Sequence, residues 1–377
     1  MMRHYLDHAA TSPLRPAALE AMTEAWRQIG NPSSQHASGR AAHAALEDAR
    51  ERLAAALGAD PSEVVFTGGG TEADNLVVLG GAGDPATSGR PDVAVSAVEH
   101  PAVRAAADAL AGRGRILAVD ADGRVEAEAL ASLDAGVAWV SVMWVNNETG
   151  TVQPLPAVIE AARRVGASVH SDAVQAVGHL PVSFADSGLD AMTVSAHKLG
   201  GPVGVGALVA RREAPLSPVT RGGGQERRLR SGTVPVALAA GFAAAAVEAV
   251  ASRTRESARL GALRGRLVAG VAALPDVRIN GGDSVGPAIL NATFAGARAD
   301  DLLLLLDAAG VDASTGSACT AGVHQPSEVL LAMGRSEADA SASLRFSLGW
   351  TSTDADVDAV VAALPEALAR ARAAAAR

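Results

Sequence analysis

Lysine is almost missing from this chain: its 377 residues include 31 arginines and a single lysine, Lys198. Wherever a positive charge alone was needed, a guanidinium supplies it, and one position uses an amine instead. A guanidinium stays protonated in proteins and is a poor nucleophile, whereas a desolvated primary amine can lose its proton and condense with an aldehyde. The bland alternative is a leftover surface lysine. Its setting argues otherwise, because an apolar run leads through Ser195 and His197 to Lys198 and then a Gly200-Gly201-Pro202 turn.

Other absences narrow the field further. Cys319 is the only cysteine, so an internal disulfide is excluded and a reducing cytoplasm is the expected compartment. No charged-then-apolar leader opens the chain, whose first residues include Arg3, His4, Asp7 and His8, so secretion is not expected. The longest apolar run, residues 234–247, covers 14 positions rich in alanine and glycine, too short to cross a bilayer and better read as a buried helix. There is no excess of positive charge: a formal −9 argues against nucleic acid or an anionic membrane as main partner. A Gly-x-Gly-x-x-Gly turn after the first strand is missing, which argues against a nicotinamide dehydrogenase, and no lysine of the Walker type follows the glycines.

What is present reads as a two-domain α/β protein, since a chain of this length is too long for one simple core. A helical period over residues 40–57 ends at Gly58. Seven short β-rich runs (64–67, 93–97, 116–119, 137–145, 168–170, 191–194 and 205–209) then alternate with helical segments, which predicts a mainly parallel seven-stranded sheet. Such sheets bind ligands at the carboxyl ends of their strands. Polar residues collect there: Gly68, Gly69, Gly70 and Thr71 after the first run, Glu99 and His100 after the second, Asn146, Asn147 and Glu148 after the fourth, Asp172 and Gln175 after the fifth, and Ser195, His197 and Lys198 after the sixth. Beyond Thr233 come long Ala/Arg helices, a β-like piece at residues 291–294 and a last amphipathic helix after Asp354. The expected division is a large domain of residues 14–253 and a smaller α+β domain of residues 1–13 and 254–377.

Taken singly, the triple glycine with Thr71 is a plain turn as readily as a phosphate cradle, and Asp172 reads more readily as a helix cap than as a site residue. Their company decides. An amine, a carboxylate, an anion cradle and His100, each behind a different strand of one sheet, are the parts pyridoxal 5'-phosphate requires: a lysine for the Schiff base, an acid to keep the pyridine nitrogen protonated, and donors for the phosphate.

Several segments carry a family resemblance: Tyr5-Leu6-Asp7-His8-Ala9-Ala10-Thr11, Asn31-Pro32-Ser33-Ser34, Glu99-His100-Pro101-Ala102-Val103, Asn146-Asn147-Glu148-Thr149-Gly150, Ser195-Ala196-His197-Lys198, Gly222-Gly223-Gly224-Gln225-Glu226, Arg230-Ser231-Gly232-Thr233 and Gly316-Ser317-Ala318-Cys319. Together, and in this order along nearly the whole chain, they resemble bacterial cysteine desulfurases, class V enzymes of the fold-type I pyridoxal phosphate group that form persulfides for iron-sulfur assembly. The resemblance implies the following roles. Lys198 holds the cofactor and later moves the substrate's α-proton, Asp172 pairs with the pyridine nitrogen, Gln175 bonds the phenolic oxygen, and His100 stacks on the ring and helps proton transfer. Gly70, Thr71, Ser195 and His197 cradle the phosphate, Thr233 reaches in from a second subunit of a homodimer, and Asn147 and Arg345 hold the carboxylate of L-cysteine. No metal enters this scheme.

Cys319 lies among small residues, Gly316 to Gly322, without the bulky flanks of a core cysteine, so a reachable loop is expected. By the resemblance its thiolate takes the substrate sulfur as a persulfide and alanine is released. The persulfide then passes to an iron-sulfur scaffold or a tRNA-thiolating acceptor. The segment before Pro326 and Ser327 matches the housekeeping branch, whose cysteine loop is the longer kind. Three positions depart from the pattern: Gly68, Ala73 and Asp74 stand where the family usually has serine, serine and asparagine, and a carboxylate at 74 puts phosphate affinity in doubt unless it faces away. The rival readings are a transaminase, which has no use for Cys319, a selenocysteine lyase, and a silent homologue serving as a binding platform, which would normally have lost Lys198, Asp172 or Cys319.

Overall fold

The computed structural model describes residues 3–83, 89–316 and 325–376. Its first strand, β1 (His4–Tyr5), belongs to an N-terminal arm, and all seven expected strands follow: β2 (Val64–Thr67), β3 (Asp92–Ser96), β4 (Gly114–Leu117), β5 (Val137–Ser141), β6 (Ser168–Asp172), β7 (Ala191–Ser195) and β8 (Gly206–Ala210). They form one sheet in the order β2-β8-β7-β6-β5-β3-β4. β8 alone runs antiparallel to its neighbours, and the other pairs are parallel. The parallel strands are connected through helices, the arrangement that leaves β-branched strands buried on both faces. The run expected at 137–145 leaves the ladder after Ser141, and Val145 instead bridges Val152 to close the turn that carries Asn147.

The first long helix, Ala37–Leu57, starts where the His36 ring accepts the Gly39 N–H at 3.2 Å and stops at Gly58, whose φ of 64° is the left-handed stop that glycine permits. It packs on the 37-residue helix Val236–Ala272, which extends well past the apolar run visible in the sequence. By length and composition this helix would suffice to cross a membrane. Here Ala239, Phe242, Ala243 and Ala246 are fully buried in the large core, while Leu260, Leu263 and Leu267 enter a second one. The helix therefore runs unbroken through residue 253.

The second core surrounds a sheet of β9 (Val277–Asn280), β10 (Ile289–Phe294) and, after the two-residue β11 (Val311–Asp312), β12 (Ser343–Ser347), and it includes Leu6 of the arm. The arm is stitched there by β1 pairing parallel with β11. The closing helix Asp354–Ala375 begins with a capping box of Thr353 and Asp356. One late piece packs elsewhere: Val329 and Leu330, on the short helix Glu328–Ala332, join the core around the large sheet.

Candidate active site

The strand ends of the large sheet open on a cavity of about 370 Å³, and both ends of the chain complete it. Its walls hold Gly70 and Thr71 beyond β2, His100 beyond β3, Asn147 and Glu148 beyond β5, Asp172 and Gln175 at and beyond β6, and Ser195, His197 and Lys198 at and beyond β7. Ala9 and Ala10 come from the arm, and Ser314, Gly316 and Arg345 from the C-terminal part.

Lys198 sits in a single 3-10 turn, Ala196–Leu199, and its Nζ donates to the carbonyl oxygens of Ala9 and Ala10, each at 2.6 Å. Burial, helped by the Arg345 charge, pulls the ammonium down to about 8, against the opposing pull of Asp172 and Asp7. At pH 7 about a tenth of such an amine is neutral, roughly 300 times the fraction of an ordinary lysine. Asp172 is buried, and its Oδ1 accepts the Val174 N–H at 2.9 Å. Burial raises its carboxyl to about 6, with that hydrogen bond and the Lys198 charge opposing.

His100 caps the helix Pro101–Asp108, its ring accepting the Ala102 N–H at 3.1 Å, and burial with the nearby Lys198 lowers the imidazole to about 4. It is a neutral ring at physiological pH. Gln175 donates to the Ala9 carbonyl at 3.0 Å, and His197 meets the Thr11 hydroxyl at 3.1 Å, so both chain segments grip the arm. Gly70 and Thr71 begin the helix Gly70–Gly81, which has no side-chain cap, leaving its first N–H groups turned to the cavity as an anion site. Glu72, in the first turn of that helix, is engaged by the Gly68 N–H at 2.5 Å and by Arg230 at 3.0 Å.

Arg345, on β12, donates to Asp7 Oδ1 at 2.7 Å and to the Asn147 carbonyl at 2.9 Å, and is 4% exposed. A buried cation on the cavity wall replaces the surface ion pair that its sequence context alone would favour. Thr233 is exposed and lines no part of this cavity in its own chain. Cys319 lies outside the described residues.

A family model for class-V aminotransferases matches residues 4–360. Over 98% of both chains, the protein is 53% identical to an IscS-like cysteine desulfurase of Mycobacterium tuberculosis. The chain belongs to the class-V aminotransferase family, in its cysteine desulfurase branch. Further members include the cysteine desulfurase NifS of Azotobacter vinelandii, 39% identical over 98% of this chain and 93% of the relative. A solved structure described as a NifS-like protein superposes with a TM-score of 0.91 at 34% identity, covering 98% of this chain and 100% of that one.

Some members of this family site were not legible beforehand. Asp7 lies in a motif that resembles the family's, yet nothing in its spacing names Arg345 as its partner, 338 residues away. Asp74 is 1% exposed and lines the cavity rather than facing away. Its Oδ1 lies 3.8 Å from His170 Nε2, but this is no ion pair: burial pushes the carboxyl well up, aided by Asp172 and Glu99, and lowers the imidazole to about 3. Burial thus opposes a full negative charge on Asp74 at the cavity wall.

Proposed function

We propose that this chain is a pyridoxal phosphate-dependent cysteine desulfurase that converts L-cysteine to L-alanine and retains the sulfur as a persulfide on Cys319. One observation carries the reading: Gly316, on the wall of the cavity that holds the only lysine, precedes the only cysteine by three residues.

The cavity fits the cofactor. Its volume of about 370 Å³ is of the size that encloses a small phosphorylated ring. Lys198 supplies the amine that holds the aldehyde, Asp172 the anion for the ring nitrogen, and Gln175 a donor for the phenolic oxygen. Gly70, Thr71, Ser195 and His197 supply the phosphate donors, joined by Thr233 of a second subunit. When bound, the cofactor withdraws the electron pair of the substrate's Cα–H bond into its protonated ring.

The chain's own groups do the rest. Arg345 and Asn147 orient the substrate carboxylate, and the Lys198 Nζ, once released, takes the α-proton and returns one to the carbon skeleton. The neutral His100 ring, on the cavity wall, would pack against the cofactor ring and relay a proton near the substrate thiol. The Cys319 thiolate attacks the substrate sulfur: an S–S bond forms, the C–S bond breaks with its electron pair on carbon, and protonation releases alanine. The balance is cysteine plus enzyme thiol giving alanine plus enzyme persulfide. The persulfide passes to an iron-sulfur scaffold or a tRNA-thiolating acceptor, in a cytoplasmic homodimer.

Purified protein given L-cysteine and a reductant should yield alanine and sulfide in equal amounts. Lys198→Ala should abolish the visible absorbance of bound cofactor, and Cys319→Ala should keep the absorbance and lose the persulfide. Full activity of Cys319→Ala on cysteine would reject the assigned nucleophile. A preference for selenocysteine with little turnover of cysteine would favour the lyase reading.

A further inference from the structure

One face of the large sheet carries polar side chains where a buried parallel sheet normally packs apolar ones. His170 and Asp172 lie two residues apart on β6 and so share that face, while Ser141 stands opposite His170 on β5 and Thr193 opposite Asp172 on β7. All four are buried. The Ser141 hydroxyl meets His170 Nδ1 at 2.8 Å and the Thr193 hydroxyl meets Nε2 at 3.0 Å, so both ring nitrogens are already engaged. The helix Gly70–Gly81 packs over β6 and β7 and brings Asp74 to the end of this row. Asp74 Oδ1 stops 3.8 Å from His170 Nε2, too far for a hydrogen bond, and is buried without a partner among the described residues.

A buried carboxyl oxygen without a partner is costly, and a charged one more so. Asp74 and Asp172 line the same cavity, and two carboxyl groups close together in a buried site do not both ionise readily. Their surroundings differ. Asp172 accepts the Val174 N–H at 2.9 Å and feels the attraction of Lys198. At Asp74, burial and the charges of Asp172 and Glu99 oppose ionisation, and the Thr193 hydroxyl favours it. Glu99 is occupied by donors of its own, Ser96 Oγ at 2.6 Å and the Met143 N–H at 2.7 Å, and the His170 ring is neutral, so neither supplies a cation. We propose that Asp74 is a positioning residue for the cofactor ring: it keeps its proton and donates it in a hydrogen bond to the Asp172 carboxylate, so that the pair presents one negative charge, on Asp172, to the ring nitrogen. The proposal rests on the reading that pyridoxal phosphate fills this cavity. An asparagine at 74 keeps the shape and offers an amide N–H in place of the acid. A leucine of similar size offers no donor.

The test uses the full chain carrying Asp74→Asn or Asp74→Leu. In infrared spectra of the apoprotein at pH 7, the parent minus Asp74→Asn difference should contain the C=O stretch of a protonated carboxylic acid. Asp172 and Glu99 are common to both proteins and cancel. Pyridoxal phosphate titrated into apoprotein and read by visible absorbance should bind Asp74→Asn within about twofold of the parent and Asp74→Leu about tenfold more weakly, the worth of one hydrogen bond to a charged group. Binding should fail in acid as Asp172 is protonated, near pH 6 in the parent. That midpoint should rise in Asp74→Leu, whose Asp172 anion has lost a donor, and stay in place in Asp74→Asn. A difference spectrum without the acid band would overturn the proposal, as would parent-like binding by Asp74→Leu. Equal weakening in both variants with an unmoved midpoint would overturn it too, by making Asp74 a packing residue. If the parent binds no pyridoxal phosphate, the cofactor reading fails, and the infrared difference still decides whether Asp74 holds a proton.

Discussion

At the scale of single residues, the site is governed by how burial redistributes protons. Lys198 is drawn down to about 8, so the reactive neutral amine grows tenfold per pH unit below that value and levels off above it. Capture of pyridoxal phosphate by the apoprotein should follow this curve, read by stopped-flow in the visible range. A rate that does not change between pH 6 and 9 would count against the amine as the carrier. Asp172 shows the opposite side of the same effect. Its folded value, about 6, lies above the ordinary 3.8, so its contribution is favourable below about pH 4 and is lost as pH rises through 6. Asp172→Asn should therefore raise the apparent melting temperature of the apoprotein at pH 8, by an amount that shrinks toward pH 4, while weakening cofactor binding. A stabilised but poorly loaded variant is what a group kept for function predicts. A fall in melting temperature across the whole pH range would assign Asp172 a structural role instead.

At the scale of elements, legibility followed periodicity. Strand positions were readable because β-branched runs buried on both faces stand out, and the polar residues that matter lie just beyond their carboxyl ends. The helix Val236–Ala272 was only half legible: its apolar stretch is continuous, but past residue 250 the buried positions reduce to spaced leucines such as Leu260, Leu263 and Leu267 among arginines. Long-range ion pairs left no local trace. Arg50 is an instance, a helix residue that reads as solvated but donates to both carboxylate oxygens of Glu226 at 2.7 Å and to the Val64 carbonyl at 2.8 Å. Glu226 also accepts the Phe66 N–H at 2.9 Å, so the pair pins the Gly224–Arg230 turn to β2. That turn carries two successive non-glycine residues, Arg227 and Arg228, with φ of 50° and 59°. Glu226→Ala leaves the buried Arg50 guanidinium with only Glu47 and the Val64 carbonyl as partners and should cost about 3 kcal/mol in denaturant unfolding. Arg50→Met combined with Glu226→Leu, which removes both charges, should cost much less. Equal losses in the single and double variants would mean that packing, not charge, holds the turn.

At the scale of the whole molecule, the cavity depends on parts that sequence order keeps far apart: an arm tied to the second core through Leu6, strand ends of the large sheet, and Arg345 of the small one. The division we propose, residues 14–253 against 1–13 with 254–377, would place Arg345 and the cysteine on one unit and Asn147 and the amine on the other. The remaining piece is Thr233, exposed and absent from its own chain's cavity. Beside the anion site lies a second opening of about 560 Å³ lined by Thr71, Ser195, His197 and the exposed Val203 and Val219, room for chain from outside. If Thr233 completes the phosphate cradle of a partner, the defect of Thr233→Ala should appear in trans. Mixing this variant with Lys198→Ala decides the matter. In the mixed dimer the subunit that keeps Lys198 receives an intact Thr233 from its neighbour, whereas the other site lacks its amine altogether. Mixed dimers should then bind close to one cofactor per dimer with the parent's affinity, measured by visible absorbance titration on material shown to be dimeric by light scattering. Were Thr233 to act within its own chain, no combination would restore tight binding, and the mixture would show only the weakened affinity of Thr233→Ala.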